Sequence, residues 1–238
     1  MATALQPPRT PWANFPDVLI HASESAVKQH PAYKAAKAGD GVAAMALIHD
    51  TMNAGCNRVL ACQLAGQSPT LVSAHAYERN AVNAIPEVFA DLLGQVLNWP
   101  VDHGIYQANV VFHTGADGFS RLARQARFDG NVSPDCAYVL VDDFIGMGGT
   151  LANMKGYIES KGGRVLAAVC LTGKPHSAKL APSPERLSEL RATHGTDLEL
   201  WWIDQFAHAF DALTESEARY LARTAGSDTV RSRIAAAK

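Results

Sequence analysis

Between residues 58 and 203 the chain alternates short apolar runs with stretches in which apolar residues recur every three or four positions. The runs cover 58–62, 70–74, 107–112, 137–141 and 164–171, with a weaker sixth at 198–203. Aliphatic and β-branched residues dominate them, which predicts strands. Helical periodicity fills 85–97, 150–160 and 184–193. Continuous apolar strands interleaved with helices predict an α/β fold, a mostly parallel sheet flanked by helices.

Ahead of this region, residues 17–54 read as helical. Ala and Lys fill 32–38, Gly39 and Gly41 break the run, and Asp40 is placed to cap a helix over 42–52. The first 16 residues hold four prolines, each lacking a backbone donor, so a flexible arm is expected there. Near the other end, Thr214 and Glu217 have capping-box spacing and predict a terminal helix. The expected organisation is an arm over 1–16, an N-terminal helical extension over 17–57, an α/β domain over 58–213 and a C-terminal helical segment over 214–238.

Composition narrows the classes. An apolar fraction of 47% in 238 residues supports a substantial core. Net charge is −2 and basic residues are scattered, so sequence-independent nucleic-acid binding is not expected. Four cysteines form no CxxC pair and are expected to be buried free thiols in a reducing cytosol. No run approaches the roughly 20 apolar residues of a membrane span. A cytoplasmic protein without a membrane partner is expected.

The chemistry concentrates in YVLVDDFIGMGGTL, residues 138–151. An apolar strand ends in Asp142 and Asp143, and a Gly-Gly-Thr turn then opens a helix. Ligands of open α/β sheets bind beyond the carboxyl ends of strands, where the two aspartates would lie. Gly146, Gly148 and Gly149 permit a tight turn with exposed amides. The helix start at Thr150 adds unpaired N–H groups and a positive dipole end, which suit a phosphate. Carboxylates beside a phosphate repel it unless hydroxyls or a divalent cation lie between. No Lys follows the glycines, and the acidic pair precedes them, so neither the nucleotide P-loop nor the dinucleotide fingerprint applies.

This segment resembles the phosphoribosyl pyrophosphate (PRPP) signature of type I phosphoribosyltransferases. The resemblance implies that Asp142 and Asp143 hold the ribose hydroxyls. It implies that Gly146, Met147, Gly148, Gly149 and Thr150 form the 5′-phosphate loop. A weaker likeness over residues 68–175 makes Ala76, Tyr77, Glu78 and Arg79 the pyrophosphate loop, and residues 113–127 a flexible catalytic loop. Magnesium would be the cofactor, met by Asp142 and Asp143 directly or through ligand and water. A homodimer, and a base-binding hood from 17–66 and 172–213, are also implied. Met147 replaces the family's usual Thr or Ser. Gly146 stands where purine-salvage members often carry an acidic residue, which argues against a hypoxanthine–guanine type of enzyme.

Arg121, Arg124 and Arg127 recur at three-residue spacing, and Arg121 and Arg124 are expected to meet the departing pyrophosphate. His75 and His113 stand at expected strand ends facing the site. Trp201 and Trp202 are expected to pack. The expected activity is transfer of phosphoribose to an unidentified nitrogenous base with release of pyrophosphate. The alternatives are a non-catalytic PRPP- or nucleotide-sensing protein of the same fold, and a Rossmann-like enzyme acting on another phosphorylated metabolite.

Overall fold

The structure is a computed structural model and describes residues 8–76, 82–109 and 117–238. A short strand, β1 (Leu19–Ala22), leads into α1 (Glu24–Lys28), α2 (Tyr33–Lys37), α3 (Gly41–Thr51) and α4 (Ala54–Gln63). Next come β2 (Thr70–Ser73), α5 (Ile85–Leu97), β3 (Val101–Asp102), β4 (Tyr106–Gln107), α6 (Gly118–Ala123) and β5 (Phe128–Asp129). The second half holds β6 (Ala137–Ile145), α7 (Gly149–Ser160), β7 (Arg164–Gly173), α8 (Pro184–Phe206), α9 (Glu215–Ala222) and α10 (Ser227–Ala237).

Five strands form one parallel sheet in the order β1-β7-β6-β2-β3, and β4 pairs antiparallel with β5 outside it. The α/β architecture is the one the apolar pattern predicts. Strand alternation sorts the core into two layers. Val72, Tyr138, Leu140, Ala168 and Cys170 belong to the layer with α7. Leu71, Val139, Val141, Ala167 and Val169 belong to the layer with α3, α4 and α5. Each buried Val or Leu among them contributes about 1.5–3 kcal/mol by leaving water. A third cluster around Trp202 and Phe210 joins α6, α8, α9 and α10.

Two expected strands are helical. Residues 58–62 lie in α4, because the Asn53 side chain caps that helix from Gly55 N at 2.7 Å and directs Asn57 and Leu60 inward. Residues 198–203 lie in the second part of α8, beyond a break at Gly195 (φ +70°), where Leu198 and Trp202 are buried one turn apart. Trp202 packs fully, as expected, while Trp201 is partly covered. The expected helix over 17–54 begins with β1 instead, which pairs with β7 at the sheet edge. Asp40 caps α3 as expected, accepting from Val42 N and Ala43 N. Of the strand expected over 107–112, residues 110–112 lie outside the described residues.

Residues 8–16 are docked rather than loose. The Trp12 indole is buried and donates to Leu213 O at 2.8 Å. Arg9 is buried beside α7, where a Cβ on Gly156 would lie only 2.7 Å from Pro8 O, so glycine is required for this approach. The four thiols are free, but only Cys170 is buried; Cys56 is half-buried, and Cys62 and Cys136 are exposed.

Candidate functional site

Strand β6 continues past its expected end and carries both aspartates within the sheet, with Asp142 opposite Cys170 and Phe144 opposite Thr172. Asp142 is 8% exposed and its Oδ1 accepts from Asp143 N at 2.8 Å. Burial, and then the adjacent Asp143 charge, push the Asp142 carboxyl well above the carboxylate range; the Asp143 amide and Lys37 pull the other way. Asp143 turns to the rim, where its Oδ2 accepts from Lys37 Nζ at 2.9 Å. Burial works to depress the Lys37 ammonium, and the Asp143 carboxylate outweighs it, leaving the group above its ordinary value.

The following loop is tied down from behind. The carbonyls of Ile145, Gly146 and Met147 accept from Lys174 N at 3.2 Å, Ser177 Oγ at 2.5 Å and Thr214 Oγ1 at 2.5 Å. Gly148 has φ +84°, and a Cβ there would lie 2.5 Å from Leu180 Cδ2, so only glycine fits. Gly148 also caps α7 without any side-chain hydrogen bond. With its carbonyls engaged behind, the loop offers the first-turn amides of α7 as donors for an anion. Met147 packs partly buried against the α8–α9 cluster.

The expected residues come together unevenly. Arg121 reaches the loop: a Cβ on Gly146 would lie 3.0 Å from its Nη1. Arg124 is directed elsewhere, its Nε donating to Ala237 O at 2.9 Å. Ala76, three residues beyond β2, bridges to Gln107, and Tyr77, Glu78 and Arg79 lie outside the described residues, as does His113. His75 is occupied locally, its Nδ1 2.9 Å from Ser73 Oγ. Lys37, Ser177 and Thr214 were not anticipated at the site. Thr214 was legible only as a helix cap, and nothing near Lys37 in sequence points to Asp143.

An open cavity of about 610 Å³ lies along β1 and the carboxyl end of β7, lined by Ile20, Ala22, Glu24, Gly173, Lys174 and His176 among others. The residues present do not make a direct metal site. Asp143 is engaged by Lys37, Asp142 is buried against its neighbour's amide, and no group of three or more His, Cys, Asp or Glu suited to a metal occurs among the described residues. No described helix is long and apolar enough to cross a membrane.

No protein-family model matches the chain. Protein TraN of Escherichia coli is 35% identical over 230 residues, covering 97% of this chain and 51% of its own length. An uncharacterized protein of Haemophilus influenzae is 36% identical over 151 residues, covering 63% of this chain and 34% of its own length. The chain thus spans about half the length of the first of these relatives and a third of the second. Among solved structures, adenine phosphoribosyltransferase from Rhodothermus marinus aligns with 51% of this chain and 66% of its own at 14% identity and TM-score 0.33. A hypoxanthine phosphoribosyltransferase from Staphylococcus aureus aligns with 52% and 61% at 15% identity and TM-score 0.36. UMP synthase from Leishmania donovani aligns with 76% and 35% at 16% identity and TM-score 0.32. These likenesses are partial and concern the fold alone.

Proposed function

We propose that this chain binds PRPP at the end of β6 and transfers phosphoribose to a nitrogenous base, releasing pyrophosphate. The observation that carries the reading is the continuous unit of Asp142, Asp143 and the carbonyl-anchored loop that runs into the uncapped start of α7. The α7 amides take the 5′-phosphate, and the two aspartates accept from the ribose 2′- and 3′-hydroxyls. Arg121, beside Gly146, meets negative charge on the ligand. Magnesium, where bound, would be carried by the diphosphate and would neutralise its charge, with Asp142 and Asp143 the residues nearest to it.

In the reaction the bond from the anomeric carbon to the pyrophosphate oxygen breaks, and the base nitrogen forms the new bond and then gives its proton to the departing pyrophosphate. The anomeric carbon carries oxocarbenium character meanwhile. The pyrophosphate is already a good leaving group, so the protein's work is positioning and exclusion of water. The cavity at β1 and β7 is the proposed seat of the base, because β7 is the strand next to β6 and the walls come from segments expected to form a hood.

Pyrophosphate release, measured with PRPP, magnesium and a panel of purines, pyrimidines and orotate, tests this reading. Release with one base class supports it. PRPP binding without turnover on any base would support a sensor of the same ligand, a reading favoured by Met147, whose side chain packs into the helical cluster and offers the phosphate no hydroxyl.

A further inference from the structure

Lys37 is the least expected charge at the site. It comes from the N-terminal extension, where Ala36 is wholly buried and Tyr33 partly buried in the layer below the sheet. That packing fixes the end of α2 against the sheet rim. The Ala36 carbonyl accepts from Ala84 N at 3.1 Å, which stitches the same turn to the chain returning after β2. Lys37 is therefore held between the end of β6 and the segment that follows β2. Its Nζ meets Asp143 Oδ2 at 2.9 Å, while its side chain remains 39% exposed. An ammonium has three donors, so one bond to Asp143 leaves others to offer a sugar hydroxyl or phosphate oxygen.

Adjacent carboxylates and a phosphorylated sugar need a positive charge between them. Sites of this chemistry commonly use a divalent cation, and the aspartates here are not arranged to hold one. We infer that the Lys37 ammonium takes the position of a protein-held divalent cation at the acidic pair, so that the sugar phosphate is bound there without metal. The inference rests on the proposed reading of the site and concerns how its charge is balanced.

Ribose 5-phosphate is the appropriate probe, because it has no diphosphate to carry a metal of its own. Its affinity is measured by calorimetry for the unaltered chain, Lys37→Met and Lys37→Arg, each with EDTA and with magnesium. The unaltered chain should bind equally well in both conditions. Lys37→Met should bind about tenfold or more weakly in EDTA and regain part of the loss with magnesium, as expected when a charge-assisted contact is replaced by a metal. Lys37→Arg, which keeps the charge, should bind in EDTA better than Lys37→Met. Equal binding of Lys37→Met and the unaltered chain in EDTA would overturn the inference, as would unaltered chain that binds only with magnesium. Failure of the underlying reading looks different: the unaltered chain then binds neither ribose 5-phosphate nor PRPP under any of these conditions, which removes both.

Discussion

Met147 illustrates how a single position in the loop answers to packing as well as to ligand. By resemblance alone, a hydroxyl in its place should improve phosphate binding. In the structure its side chain packs against the α8–α9 cluster, and its carbonyl is held by Thr214 Oγ1. Met147→Thr removes apolar contact there and leaves a partial cavity, which should cost about 1–3 kcal/mol. Thermal unfolding should show a lower melting temperature, together with weaker ribose 5-phosphate binding because the loop loses its backing. A tighter ligand with an unchanged melting temperature would show instead that the position faces the phosphate. The aspartates and glycines of this segment were legible because they are contiguous in sequence and their order has a chemical use. Lys37 and Thr214 were not, since they reach the site across 106 and 67 residues, and no local pattern records such contacts.

At the scale of elements, what fixes α7 matters most, since its first turn is the proposed phosphate site. The segment ahead of β1 straps this helix. Arg9 Nη1 donates to Glu217 Oε2 at 2.6 Å and its Nε to Asn153 Oδ1 at 2.6 Å, with both charged side chains 2% exposed. Arg9→Met leaves the Glu217 carboxylate buried without its partner and should destabilise the chain by about 3–5 kcal/mol. The double variant Arg9→Met/Glu217→Met should recover part of that loss, because it removes the stranded charge but also the acceptor of Thr214 N in the α9 capping box. Urea unfolding checks both; a cost below about 1 kcal/mol for Arg9→Met would mean that the strap does not hold α7. The proline content that suggested a loose arm reports only on missing backbone donors. It says nothing of Trp12 and Arg9, which supply burial and an ion pair from outside any regular element. The misread runs have a similar cause. Residues 58–62 and 198–203 have strand-like composition, but Asn53 as a cap and the one-turn spacing of Leu198 and Trp202 beyond the Gly195 break were the stronger signals. In β1, by contrast, Leu19–Ala22 is too short to carry a period of its own.

For the whole molecule, acid sensitivity follows from two buried histidines. Burial lowers the His21 pKa to about 4, and burial followed by the nearby Arg9 charge lowers that of His208 to about 3. The unfolded chain takes up these protons below the ordinary value of 6.5, while the folded chain refuses them. Their stability contribution is therefore present above 6.5 and is lost as pH falls toward the folded values, on the order of 3 kcal/mol apiece when fully developed. Asp142 works in the opposite sense, its raised carboxyl favouring the folded state as pH falls toward the ordinary carboxylate value. Stability measured by urea unfolding at about pH 7 and about pH 5 should drop for the unaltered chain and drop less for His208→Gln; equal slopes would show that His208 is not the group refusing the proton. These terms set the conditions under which the site stands, and its ligand decides the rest of the account. Calorimetric titration of PRPP with magnesium into the unaltered chain and into Asp142→Asn/Asp143→Asn is the most direct measurement. The unaltered chain should bind, and the folded double variant should lose a few kcal/mol of affinity, as charge-assisted hydrogen bonds to the ribose hydroxyls require. Equal affinity in the two proteins, or no binding by the unaltered chain, would contradict a PRPP site at the end of β6.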